Sequence, residues 1–186
     1  MTVIDNISTK IRAIKTANRH TQPRAVLVAA LLMILTLFTG VSQALTLGEK
    51  APDFTLKTLS GENLNITEQR GNIIVINFWA SWCGPCRTEM PILQEFHDQY
   101  QDLGVAVWGV NVEQENQAGL DYIRELAVDF PIFFDASNEV SANYNVEAMP
   151  TTVIIDRNGK VRSVFRGYQK GYEKKYAKVI KQLIRE

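Results

Sequence analysis

"IIVINFWASWCGPCRTEMP", residues Ile73 to Pro91, joins two patterns of different period. Ile73 to Ala80 is rich in β-branched and aromatic residues and apolar almost throughout, which predicts a central strand covered on both faces. From about Cys83 to Tyr100 the residues Met90, Leu93, Phe96 and Tyr100 recur at helical spacing. A helix therefore follows, and Pro91 inside it should kink it by removing one backbone donor. Both cysteines of the chain, Cys83 and Cys86, fall at the junction, separated only by Gly84 and Pro85.

Such a pair has several uses. A bridge closing so short a loop adds little stability, because stabilisation in the loop-entropy model grows with loop length. A closed zinc site needs four ligands, and the two histidines do not complete one: His20 sits in the amino-terminal flank, and His97 reads as an ordinary helix-surface residue. Electron transfer suits the spacing better. A cysteine at a helix start faces unpaired N–H groups and the positive end of the helix dipole, which favour thiolate over thiol. Cys83 is then the nucleophile, and Cys86, one turn along, resolves the mixed disulfide formed on it. Trp82 and the preceding strand are expected to shield Cys86 more than Cys83. Two rivals stay open: a binding module holding Cu(I) on the reduced pair, and a non-catalytic docking domain with a permanent disulfide.

The chain has 186 residues, 46% of them hydrophobic, enough for one domain with a sizeable core and an appendage. The appendage is amino-terminal. Residues 1–24 form a basic flank with Lys10, Arg12, Lys15, Arg19 and Arg24 against Asp5, and 25–44 form an uncharged apolar run. This is a signal peptide cleaved after Ala44 or a retained transmembrane signal-anchor, and the long basic flank favours the anchor. Either way the domain of 45–186 is placed outside the cytoplasm. That domain carries fifteen bases against nineteen acids, a net charge of −4. It lacks the clustered basic face of a nucleic-acid partner. The lysines of the last helix read as the solvated side of an amphipathic segment with Tyr172, Tyr176, Val179, Ile180 and Leu183 as its buried stripe.

From Leu45 onwards short apolar runs alternate with helical stretches, which implies one α/β domain. Ser60-Gly61-Glu62-Asn63 marks an amino-terminal hairpin. Strands are expected at Val105 to Val112 and Phe130 to Asp135, with helices near Ala118 to Ala127 and Glu139 to Tyr144. "TTVIID", the Asn158-Gly159 turn and "VRSVFRGY" make an antiparallel pair before the final helix. The expected architecture is a central mixed sheet with helices on both faces.

"FWASWCGPC" at Phe78 to Cys86, Pro91 after it, and "AMPTTVIID" at Ala148 to Asp156 resemble the landmarks of the thioredoxin superfamily. The closest resemblance is to its TlpA, ResA and cytochrome c maturation branch of membrane-associated thiol-disulfide oxidoreductases. It spans roughly Gly48 to the end and implies a thioredoxin-like fold. Pro150 stands 67 positions beyond Cys83, and the excess over a plain thioredoxin matches the helix and strand between Ala118 and Asp135, an insertion carried by this branch. The opening "GEKAPDFTLKTLSGENLNI" also resembles peroxiredoxins, whose single-cysteine motif is absent. By resemblance, the peptide before Pro150 is cis, and Trp82, Gly84, Pro85, Met149 and Pro150 form the partner-binding surface around Cys83. Asn77 stands where cytoplasmic thioredoxin has a buried Asp and cannot exchange a proton. Members of the branch use a glutamate near the disulfide, and of Glu113 and Glu115 in the turn after Val112, Glu113 is the first choice for proton handling.

The expected protein is an extracytoplasmic, periplasmic or membrane-tethered thiol-disulfide oxidoreductase with a redox-active disulfide, needing no cofactor or metal. Gly84-Pro85 matches reducing thioredoxins, poised near about −270 mV against about −120 mV for a strong oxidant such as DsbA. A reductant in an oxidising compartment needs a membrane thiol electron donor. Protein thiols and disulfides are the expected partners, with the haem-attachment cysteines of apocytochrome c as the substrate class that the resemblance implies.

Overall fold

The computed structural model describes residues 45–114 and 117–186; the basic flank, the apolar run of 25–44 and Glu115 lie outside the described residues. Among the described residues no helix is long and apolar enough to cross a membrane. The amino-terminal hairpin pairs β1 (Thr55–Lys57) with β2 (Asn63–Asn65) in antiparallel register. Its turn uses Gly61 at φ 94°, a left-handed conformation that favours glycine.

A five-stranded sheet follows, in the order β5-β4-β3-β6-β7. The central strand β3 (Ile73–Trp79) is buried at every position, as its almost wholly apolar composition leads one to expect, with Asn77 as its one polar residue. It pairs in parallel with β4 (Val105–Asn111) from Ile73 opposite Val105 to Trp79 opposite Asn111. On its other side it pairs antiparallel with β6 (Thr151–Ile155), which pairs with β7 (Val161–Arg166). The parallel edge strand β5 (Ile132–Phe134) completes the sheet.

Strand alternation sends successive side chains to opposite faces. Ile73, Val75 and Trp79 face α1 (Gly84–Tyr100), α2 (Gln117–Leu126) and α4 (Tyr172–Arg185), sharing a core with Met90, Leu93, Tyr122, Tyr176 and Ile180. Ile74, Ile76 and Phe78 pack in the second core with Phe54 and Ile66 from the amino-terminal strap and Val140 from the short α3 (Glu139–Asn143). Mixed sheet, helices on both faces, hairpin and central helix-strand insertion all agree with the sequence reading.

Two local expectations need correction. The fifth strand ends at Phe134: the Asp135 amide still donates to the Asn111 carbonyl at 2.8 Å, while its buried carboxylate accepts from the amides of Val140 at 3.2 Å and Ser141 at 2.7 Å and so satisfies the start of α3. At the other end Pro131 has no N–H for the ladder, so β5 begins after it. In α4 the buried stripe is Tyr176, Ile180 and Leu183, while Tyr172 and Val179 lie half-buried along its edges. The first helix includes Pro91 within its span, where the missing N–H leaves the carbonyl of Arg87 without its helical donor, as expected.

Phe54 anchors the strap, standing edge-on to Trp108 at 6.0 Å and to Tyr144 at 5.7 Å, and Tyr144 donates from its hydroxyl to the Pro52 carbonyl at 2.8 Å. Phe54→Ala should lower unfolding stability in urea by about 3–5 kcal/mol. A loss below about 1 kcal/mol would mean that the strap does not hold this face of the sheet.

Candidate active site

The chain leaves β3 at Trp79 and reaches α1 through Ala80, Ser81, Trp82 and Cys83. Cys83 is the residue before the helix, extended at φ −84° and ψ 102°, and its Sγ accepts from the Cys86 amide at 3.2 Å. A sulfur takes the capping position that Ser or Asp fills in most helices, directly against the orphan N–H groups of the first turn. Pro85 lies in that first turn, where its missing N–H has no helical partner to lose. Cys83 and Cys86 form a disulfide, with their Cα atoms 5.4 Å apart.

Both sulfur-bearing residues are nearly enclosed, Cys83 at 4% exposure and Cys86 at 0%, whereas Gly84 and Pro85 are exposed. Trp82 is itself 69% exposed and is not part of the core cluster that holds the cysteines. Cys86 is covered from the core side, in a cluster with Trp79, Ala80 and Met90. The Met149–Pro150 peptide is cis, and the antiparallel register that sets Thr151 opposite Phe78 brings this turn alongside the end of β3. Met149 packs against the core cluster that holds both cysteines.

Glu89, which the sequence reading did not single out, is fully buried one helical turn beyond Cys86. Its Oε1 accepts from the Tyr176 hydroxyl at 2.6 Å and the Thr152 hydroxyl at 2.7 Å, and its Oε2 accepts from Asn77 Nδ2 at 2.9 Å. Asn77 Nδ2 also donates to Thr152 Oγ1 at 2.9 Å. Burial pushes the Glu89 carboxyl above the ordinary carboxylate range, outweighing the hydrogen bonds from Tyr176, Thr152 and Asn77, which favour its charged form. A signal was available: counting from Cys86 along the buried stripe of Met90, Leu93 and Phe96, Glu89 is the one acid on the inward face. Asn77 therefore does not stand alone in place of a buried acid; it is a hydrogen-bond donor to one on the neighbouring helix.

Glu113 occupies a different place. Its Oε2 accepts from the Ser81 amide at 2.7 Å and from Asn111 Nδ2 at 2.8 Å, and its Oε1 accepts from the Ser81 hydroxyl at 2.7 Å. Burial raises its carboxyl, but those hydrogen bonds from Asn111 and Ser81 prevail and hold it below the ordinary range. Both oxygens are committed to the loop before Cys83. The inserted helix α2 meets α1 through Arg87, whose guanidinium lies 4.7 Å over the Tyr122 ring and 2.6 Å from Glu125, while Tyr122 stacks on Trp79 at 5.2 Å. Among the described residues no group of three or more His, Cys, Asp or Glu side chains is arranged to hold a metal ion.

A family model described as AhpC/TSA matches residues 47–164, well over half of the chain. Among curated proteins, the thiol-disulfide oxidoreductase ResA of Geobacillus kaustophilus is 34% identical over 155 residues, covering 78% of this chain and 89% of the relative. The thioredoxin-like protein YneN of Bacillus subtilis is 38% identical over 122 residues, covering 64% and 71%. Among solved structures, a Chlorobium tepidum protein assigned as thiol:disulfide interchange protein DsbE superposes with a TM-score of 0.73 at 30% identity, covering 76% of this chain and 99% of the other. StoA from Bacillus subtilis superposes with a TM-score of 0.59 at 29% identity, over 68% and 96%. With its cysteine pair bridged at the head of a helix in a thioredoxin-like fold, the chain belongs to the AhpC/TSA family and is a thiol-disulfide oxidoreductase of the ResA and DsbE type.

Proposed function

We propose that the protein works outside the cytoplasm as a reductant of protein disulfides, held to the membrane by residues 25–44 or released after Ala44. The observation that carries this reading is the disulfide at the head of α1: Cys83 stands before the helix, next in the chain to exposed Trp82, Gly84 and Pro85, and Cys86 lies one turn below it with Glu89 a turn further. In the dithiol form the Cys83 thiolate attacks one sulfur of a partner disulfide. That bond breaks, a Cys83–partner disulfide forms, and the first partner sulfur leaves as a thiolate that takes up a proton. Cys86 then loses its proton, attacks Cys83 Sγ and releases the second partner sulfur as a thiol. Two electrons pass to the partner, and the chain ends as the Cys83–Cys86 disulfide. A membrane dithiol donor returns two electrons by the reverse exchange.

Oxidised haem-attachment cysteines of apocytochrome c are the partner class this reading favours, supported by the branch resemblance and by Gly84-Pro85 between the cysteines. We assign Trp82, Gly84, Pro85, Met149 and Pro150 to the partner-binding surface, since Met149 packs against the core cluster that holds both cysteines and Trp82, Gly84 and Pro85 are exposed next to Cys83 in the chain. Glu89 serves as the group that exchanges a proton with Cys86, because it is buried on the same helix face and its carboxyl sits above the ordinary range. The proton-handling role first considered for Glu113 fits less well with a carboxylate already committed to Ser81 and Asn111.

Cys86→Ser should accumulate mixed disulfides on Cys83 that appear as higher-mass species on non-reducing gels and vanish with dithiothreitol. Absence of such species in cells that make the variant would remove the two-step exchange. Glu89→Gln should slow the Cys86 step by about 10²–10⁴-fold at neutral pH, the range of one general acid-base group, and remove its acidic limb. The same variant tests a stability effect. A carboxyl whose folded pKa is raised binds its proton more tightly in the folded chain, so stability present below its unfolded value is lost as pH rises through the folded one. Urea midpoints of the wild type should fall across that window while those of Glu89→Gln stay level; parallel curves would contradict it.

A further inference from the structure

Where β3 and β4 end, their backbones separate. The last rung of the parallel ladder is the Val112 amide donating to the Trp79 carbonyl at 3.1 Å. Ser81 and Glu113 come next after the two strands, side by side because Trp79 and Asn111 are register partners. At this point a side chain replaces the backbone acceptor. The Glu113 carboxylate takes the Ser81 amide and hydroxyl, and buried Asn111 braces it from both ends, donating Nδ2 to Oε2 while Oδ1 accepts from the Glu113 amide at 2.7 Å. One residue after Ser81 comes Trp82, the most exposed large apolar side chain among the described residues, and then Cys83.

We propose that Glu113 is a positioning residue for partner docking: its carboxylate adds one rung to the β3–β4 ladder and holds the Ser81–Cys83 loop, with Trp82, in the shape a peptide partner meets. The proposal rests on the reading that partner disulfides are reduced at Cys83. A carboxylate is suited to the task because it accepts from three donors and offers no hydrogen of its own. Glutamine cannot replace it without turning its own N–H₂ towards one of those donors. Exposed Trp82 offers a flat apolar surface with one N–H donor, and its direction depends on the amide that Glu113 fixes. A small disulfide reaches the sulfur without using that surface, whereas a peptide has to lie across it. Glu113 thus selects for chain-like partners, and Glu89 manages the proton.

The test is single-turnover oxidation of the reduced wild type, Glu113→Gln and Ser81→Ala by two probes, an oxidised peptide carrying Cys-x-x-Cys-His and oxidised glutathione. For Glu113→Gln the half-saturating peptide concentration should rise about tenfold, the loss expected for one charge-assisted hydrogen bond. Its limiting rate should stay within about threefold, and the ratio of peptide to glutathione reactivity should drop by the same tenfold. Ser81→Ala, which loses only the hydroxyl contact, should shift the peptide the same way by less. Equal losses towards both probes, with a moved pH profile for glutathione, would assign Glu113 to proton handling and overturn the proposal. Unaltered peptide saturation in both variants would also overturn it. Peptide oxidation by the wild type checks the underlying reading separately, since it is judged without reference to either variant.

Discussion

A carboxylate without access to water has to find donors or remain protonated, and Glu89 is such a group at the centre of this domain. Its three donors come from β3, β6 and α4, while it rides on α1 itself. These four elements meet correctly only if the sheet order, the antiparallel register of β6 and the packing of the last helix are all in place. The cysteine pair heads the same helix. Folding and the geometry around Cys86 are therefore one constraint, because the hydrogen bonds that stabilise the Glu89 carboxylate also hold α1 against the sheet.

The two acids near the disulfide divide the work by environment. Glu89 lies in the core, where burial favours the neutral carboxylic acid and a proton is retained at higher pH than usual. Glu113 sits at the half-buried end of the sheet, where amide and hydroxyl donors hold it ionised and it acts through hydrogen bonds. Identical side chains thus take different chemistry from what surrounds them. The parallel β3–β4 pair accounts for both placements, because it delivers the loop into α1 and the turn after β4 to the same end of the sheet.

Much of the architecture was legible in the sequence, for physical reasons. The run Ile73 to Ala80, apolar except for Asn77, reads as a doubly covered strand, and the spacing of Met90, Leu93, Phe96 and Tyr100 as a helix packed on it. Cys83 at the helix head and the cis bond before Pro150 also agree with expectation. What was missed depends on contacts between segments distant in sequence. Thr152 and Tyr176 lie 63 and 87 positions from Glu89, so no local pattern announces their meeting, although the acid's place on the inward helix face hinted at it. Asp135 reads as a strand end until the amides of α3 are seen to need an acceptor. Nor does the local sequence tell that Trp82 stands largely exposed beside the cysteines.

The account depends most on Glu89 and Cys86 sharing one environment, and a carboxyl-carbon NMR titration of Glu89 in the disulfide and dithiol forms examines this directly. The prediction is a midpoint above the ordinary carboxylate value in both forms, and a different midpoint in each, because a thiol next to the acid titrates with it whereas a disulfide does not. A midpoint at the ordinary value, or one identical in the two redox states, would contradict it.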